Sequence, residues 1–276
     1  MGADSTTEYQ RILAGKIVLP GNVEDLHAAY ANAKPFPHLM IDNLFTDATL
    51  EGLLAEMSQM SREHWSSVDT DTRERTLRMR SAAEMGDAGS RLLGIMHSAP
   101  FLYLLSEITG IPQLLPDPYL LGAGYAMMRR NDYFAVHSDR NVAYDTGLLR
   151  RLAVIVFLNK DWRPEYHGDL ELWSHDAKHC DVRIAPLFNR TAIFEVAFPN
   201  YHGVPTPLAC PADRMRQSFI LYYHTANIAQ QPDFKPHTSI FAPRLHGTNR
   251  ITLKSVVRDM TPPLLLRAIR KLRTDQ

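Results

Sequence analysis

The chain has 276 residues, 45% of them hydrophobic, enough to fill one sizeable core without division into several domains. Its 30 basic and 30 acidic residues cancel, which excludes a general electrostatic pull towards nucleic acid or anionic membrane. Cys180 and Cys210 are too few for a disulfide framework, MGADSTTEYQ lacks the features of a secretory signal, and no apolar run reaches the roughly 20 residues that cross a bilayer, so the expectation is a soluble chain in a reducing cytoplasm.

Apolar residues recurring at three and four predict helices over Val23 to Tyr30 and Thr46 to Met60, on either side of a first strand within PFPHLMIDNLF. Ser61 to Ser81, with the run DTDTRERTLRMRS, reads first as a solvated surface loop and second as a lid beside a substrate. Ala83 to Ile108 reads as helix. After Pro116 the pattern changes to seven short β runs, LLGAGYAMM, FAVHS, LAVIVFL, GDLELW, VRIAP, RTAIFEVA and SFILYYHT, whose close spacing predicts a sandwich or barrel. FKPHTSIFAPR reads as loop, and PPLLLRAIRKLR as a terminal amphipathic helix. The expected organisation is one domain over 1–276: a helical and strand segment at 1–115, a β core at 116–226 and an extension at 227–276.

Among twelve histidines, His137 and Asp139 stand out. Residues two apart on a strand share a face, so FAVHSD projects an imidazole and a carboxylate side by side. His202, in a predicted turn YHGVP after the strand RTAIFEVA, supplies a third donor, with Gly203 and Pro205 fixing its presentation. Two His and one carboxylate on one face of an ion leave its other positions open, an arrangement suited to iron(II) and dioxygen. The plainer alternative is a hydrogen-bonded pair and a loop histidine. Two rival clusters rank lower: His167 with Asp169 sits at a turn before a strand, and His175, His179 and Cys180 lack a second pair at zinc-site spacing. Arg216 and Ser218 in RMRQSFILYY fall on one strand face, so Arg216 points a guanidinium into an apolar barrel, where a dicarboxylic cosubstrate would satisfy it. Arg214 is the alternative.

These residues resemble the iron(II) and 2-oxoglutarate dependent dioxygenases of the prolyl 4-hydroxylase-like branch. The resemblance is carried by Tyr125, by His137 and Asp139, by NKDW at Asn159 to Trp162, GDLELW at Gly168 to Trp173, PLFNRTAIFE at Pro186 to Glu195, YHGV, and RQSFILYYHT at Arg216 to Thr225, with PFPHLMIDNLF as a first strand. It implies a mainly β protein with flanking helices around a double-stranded β-helix (jelly-roll, cupin-like) core. It further implies that His137, Asp139 and His202 bind Fe(II), and that Arg216, helped by Ser218 or Tyr125, holds the distal carboxylate of 2-oxoglutarate. Oxygen and 2-oxoglutarate would then be consumed, with ascorbate as a candidate activator and succinate and carbon dioxide as products. The related halogenases carry Gly or Ala where this chain has Asp139, so the resemblance implies oxygenation. His167 replaces the first Gly of the branch's usual Gly-Gly and reads as a turn residue.

The substrate is read from loops around a presumed barrel mouth. Arg129, Asn131, Asp132, Tyr133 and Arg140 are the candidates, and their mixed charge suggests a polar small molecule such as an amino acid, sugar or natural-product intermediate. Two other readings stay open at this point: a protein hydroxylase that docks its target on the N-terminal segment, and a non-catalytic cupin-like metal-binding domain. Neither nucleic acid nor membrane is expected as a partner, and oligomeric state is not encoded in any pattern.

Overall fold

In the computed structural model, which describes residues 12–70, 73–79, 82–120, 122–144, 146–226 and 236–242, the helices start and stop where side chains require it. Asn22 accepts from the Asp25 backbone N–H at 2.7 Å and opens Val23–Asn32. Leu50, Leu53 and Met57 bury one side of Asp47–Gln59. The single helix expected over Ala83 to Ile108 is two, Asp87–Met96 and Ala99–Thr109. Pro100 lacks the N–H that a continuous helix would need there, and Gly110, at φ 69°, ends the second helix in a left-handed cap.

Thirteen strands follow one another in the described residues. They are β1 (His38–Asp42), β2 (Trp65–Thr70), β3 (Glu74–Met79), β4 (Leu115–Pro116), β5 (Gly124–Met128) and β6 (Tyr133–Ser138). Then come β7 (Leu149–Phe157), β8 (Leu170–Trp173), β9 (Cys180–Ile184), β10 (Arg190–Glu195), β11 (Tyr201–Val204), β12 (Arg216–Thr225) and β13 (Ile240–Phe241). They pair antiparallel in the order β1-β10-β7-β12-β5-β3-β6-β11-β8-β9, with β2 on β3, β4 on β12 and β13 on β6. This is a nearly closed β barrel with a few helices, the jelly-roll core expected from the sequence.

β7 explains why LAVIVFL is apolar throughout. It lies between β10 and β12, its Leu152, Val154 and Val156 packing with the helical Leu50 and Leu53, while Ala153, Ile155 and Phe157 pack inward with Leu170, Leu172 and Phe194. Each such aliphatic side chain contributes about 1.5–3 kcal/mol of burial.

Two expectations are corrected. Ser61 to Ser81 is not a solvated loop: β2 and β3 form a hairpin, and β3 pairs with β5 through Leu77↔Met127 and with β6 through Glu74↔Phe134, joining the two halves of the barrel. Within FKPHTSIFAPR, Ile240 and Phe241 pair with Ser138 and His137 instead of looping free. The chain divides into units Met1–Ala242 and Pro243–Gln276, and the predicted terminal helix lies outside the described residues. Among the described residues no single helix is long and apolar enough to cross a membrane.

Candidate metal centre

His137 and His202 are register partners across β6 and β11, so their imidazoles emerge side by side with ring centres 4.5 Å apart. His202 therefore sits within a strand; the turn expected there is absent because YHGV pairs on both edges, with β6 and with β8. Gly203 permits this: a Cβ there would come 2.9 Å from the Phe134 carbonyl oxygen. Between His202 and Val204 on one strand and His137 and Phe134 on the other, β6 carries an extra residue. That bulge turns Phe134 to the side of His137, where the rings stack at 4.0 Å.

Asp139 completes the group. Its Oδ1 lies 3.4 Å from His137 Nε2 and its Oδ2 3.6 Å from His202 Nε2, and the three donor atoms fall within 4.8 Å of one another. No other group of three or more such residues occurs among the described residues. His137 Nδ1 sits 2.8 Å from the Ala135 carbonyl oxygen, which fixes the proton on Nδ1 and turns the Nε2 lone pair to the centre. Burial, then the neighbouring His137, pulls His202 down to about 4, so it is a neutral ligand at pH 7. Burial works to raise the Asp139 carboxyl, but His202 and His137, with Arg150 behind them, hold it well below the usual range. Asp139 Oδ2 is buried with no hydrogen-bond partner among the described residues. A neutral His202 and a second imidazole, facing a carboxylate held in its ionised form with one oxygen unpaired, fit a divalent metal.

The centre opens on a cavity also lined by Thr76, Arg78, Phe134, Arg216, Ser218 and Tyr222. Arg216 is buried, donates from Nε to the Gly168 carbonyl oxygen at 2.7 Å, and has no carboxylate partner among the described residues. Burial pulls it down to about 10, so it remains a cation at neutral pH. Gly168, at φ 90°, allows the approach, since a Cβ there would lie 3.1 Å from Arg216 Cδ. Arg214 instead donates to the backbone carbonyls of Lys160 and Asp161 on the surface, so the cavity guanidinium of this strand is Arg216.

Residues 123–224 match the sequence model of the 2OG-Fe(II) oxygenase superfamily. The strand-built core carries the sequence pattern of that superfamily. The oxygenase matches a Pseudomonas putida prolyl-4-hydroxylase at TM-score 0.53 and 18% identity, over 73% of this chain and 99% of that one. A Trichoplax adhaerens prolyl hydroxylase, solved with a hypoxia inducible factor peptide, matches at 0.55 and 17%, over 81% and 94%. The non-haem α-ketoglutarate dependent epimerase SnoN of nogalamycin biosynthesis matches at 0.50 and 12%, over 82% and 96%. Among curated proteins none matches the sequence. The chain is a 2-oxoglutarate-dependent dioxygenase, an enzyme class that requires Fe(II), 2-oxoglutarate and O2.

Other sequence expectations are corrected by the structure. Tyr125 lies on the opposite face of β5 from the cavity, donating to Glu56 Oε1 at 2.5 Å beside the Asp87–Met96 helix. Arg129, Asn131 and Asp132 form the β5–β6 turn: Asn131 takes φ 67°, and buried Asp132 accepts from the Arg129 backbone N–H at 2.7 Å. Tyr133 pairs with Arg75 at the start of β6, and Arg140 lies over the Tyr144 ring. None of these five lines the oxygenase cavity. His167 is a turn residue as expected, its carbonyl accepting from Trp162.

Three polar cavity residues were not foreseen. Tyr222 continues the alternation Arg216, Ser218, Ile220 along β12, and that spacing could have found it. Thr76 and Arg78 share the same alternation on β3, hidden inside a run that reads as solvated charge.

Proposed function

We propose that this dioxygenase hydroxylates an unactivated C–H bond of a polar small molecule, releasing succinate and carbon dioxide. The observation that carries the reading is the cavity itself, a partly enclosed space in which the His137 and His202 rings face Thr76, Arg78, Ser218 and Tyr222. Its wall includes β3 through Thr76 and Arg78, and Arg73, just before β3, lies 4.9 Å over the Phe241 ring of β13. Such an enclosure suits a molecule of limited size whose polar groups find fixed partners.

His137, Asp139 and His202 would hold the iron, and Arg216 with Ser218 would hold the distal carboxylate of 2-oxoglutarate. Iron and 2-oxoglutarate, when bound, supply the activated oxygen. The chain's part is to keep His202 neutral, to orient His137 through the Ala135 carbonyl, and to surround the site with apolar Ile155, Leu170 and Phe194 that exclude water.

The test is succinate formation from 2-oxoglutarate with Fe(II) and ascorbate, in the presence of a panel of polar small molecules and of proline-containing peptides. Stimulation by small molecules is expected, and mass spectrometry should find one added oxygen in the stimulating compound. Stimulation by peptides alone would replace this reading with a protein hydroxylase. Activity of His137→Ala or Asp139→Ala equal to wild type would remove the oxygenase mechanism altogether.

A further inference from the structure

We infer that Arg78, with Thr76 beside it, is a second anion-recognising position in the cavity and binds a carboxylate of the primary substrate, which makes that substrate an organic acid. This deepens the oxygenase reading above and rests on it. Arg78 Nη2 donates to Glu74 Oε1 at 3.1 Å, and the same Glu74 oxygen accepts from the Thr76 hydroxyl at 2.6 Å. Nη1 of Arg78 is buried with no hydrogen-bond partner among the described residues, although its side chain lines the cavity. A guanidinium fixed on one edge and unsatisfied on the other is pre-organised for an acceptor.

The sheet register separates this position from the one assigned to 2-oxoglutarate. Ser218, Ala126 and Arg78 occupy one rung across β12, β5 and β3, and Arg216 lies one inward step further along β12, opposite Met128. Ala126, the residue between Ser218 and Arg78 on that rung, has a small side chain and lines the same cavity. The Arg78 guanidinium lies 5.8 Å from the Phe134 ring centre, and Phe134 stacks on His137, so Arg78 stands one aromatic ring away from a metal ligand. The groups facing it are Glu74, Thr76 and Phe134 from the hairpin and β6, and Arg216 and Tyr222 from β12. Of these only Glu74 is an acid, and its contact is already made with Nη2. A substrate carboxylate on Nη1 would hold the rest of the molecule over the metal centre, away from Arg216.

Wild type, Arg78→Gln, Arg78→Lys and Arg216→Gln, each loaded with Fe(II), are compared for succinate formation with a panel of small hydroxy, keto and amino acids, each beside its primary amide. In wild type the stimulating compounds should be acids, exceeding their own amides by about tenfold or more. Arg78→Gln should bring acid and amide to within about twofold of each other, and Arg78→Lys should keep part of the preference. Arg216→Gln should instead raise the half-saturating 2-oxoglutarate concentration. The inference is overturned if Arg78→Gln raises that concentration as much as Arg216→Gln does, since Arg78 would then serve the cosubstrate. An unchanged acid preference in Arg78→Gln, or a panel in which no acid stimulates, also overturns it. If Arg78→Gln does not fold, Arg78→Lys carries the comparison, with a loss of preference of at least about threefold expected. Failure of the underlying oxygenase reading looks different: wild type would make no succinate from 2-oxoglutarate under any condition.

Discussion

Tyr125 and Ala126 are neighbours in sequence and face opposite sides of β5, and that single step decides what each can do. Ala126 lines the cavity, whereas Tyr125 reaches the Glu56 carboxylate, which also accepts from the backbone N–H groups of Gly86, Ala88 and Gly89 and so caps the Asp87–Met96 helix. Tyr125→Phe should therefore lower stability by about 1–2 kcal/mol in urea unfolding and leave the half-saturating 2-oxoglutarate concentration alone. A raised 2-oxoglutarate requirement with unchanged stability would return Tyr125 to the cosubstrate. His137 with Asp139, and Arg216 with Ser218, were legible because i and i+2 on a strand share a face whatever the register. Tyr125 was misread because a lone tyrosine does not reveal which face of its strand is inward. Gly203 makes a second prediction at this scale. Its missing Cβ lets β11 approach the Phe134 carbonyl, which is backbone and cannot rotate away. Gly203→Ala should push His202 from His137 and weaken Fe(II) binding, by the roughly 10–100-fold typical of disturbed ligand support, as measured by chelator competition.

At the scale of elements, the β2–β3 hairpin and β13 were the parts least visible in the sequence. Strands are read from apolar alternation, but β3 turns Thr76 and Arg78 towards the cavity, both bonded to Glu74, so its inward face is polar and carries the signature of a solvated run. β13 is two residues long, too short for any period, and its position is set by pairing with Ser138 and His137. The apolar strands of the core were legible for the converse reason, since β7 must satisfy packing on both faces. β13 places Phe241 with its ring centre 5.5 Å from that of His137 and under the Arg73 guanidinium of the hairpin. That ring shields the edge of the metal centre. Phe241→Ala should release Fe(II) to a chelator about tenfold faster, with the three ligands intact. Equal release rates in the two proteins would show that β13 does not cover the centre.

At the scale of the whole molecule, the barrel buries more ionisable groups than its chemistry uses, and this sets its response to acid. His224, next to last on β12, is 1% exposed, and neither ring nitrogen has a hydrogen-bond partner among the described residues. Burial, reinforced by the nearby Arg150 and opposed by Asp117, pulls it from 6.5 down to about 4. The unfolded chain thus takes up this proton before the folded one does as pH falls. The stability that comes from keeping His224 neutral is complete above about pH 6.5 and drains away towards pH 4, on the order of 3 kcal/mol in all. His202 and His97 shift in the same direction, but metal occupies the His202 nitrogen in the loaded enzyme and His97 is common to wild type and His224→Phe, so the difference between those two proteins isolates His224. Between pH 7 and pH 5 the Tm of the Fe(II)-loaded enzyme should fall by several degrees more than that of His224→Phe, which has no proton to gain and fills a comparable buried volume. Parallel Tm curves for the two proteins would mean that His224 reaches water or a partner in solution and that acid sensitivity arises elsewhere in the barrel.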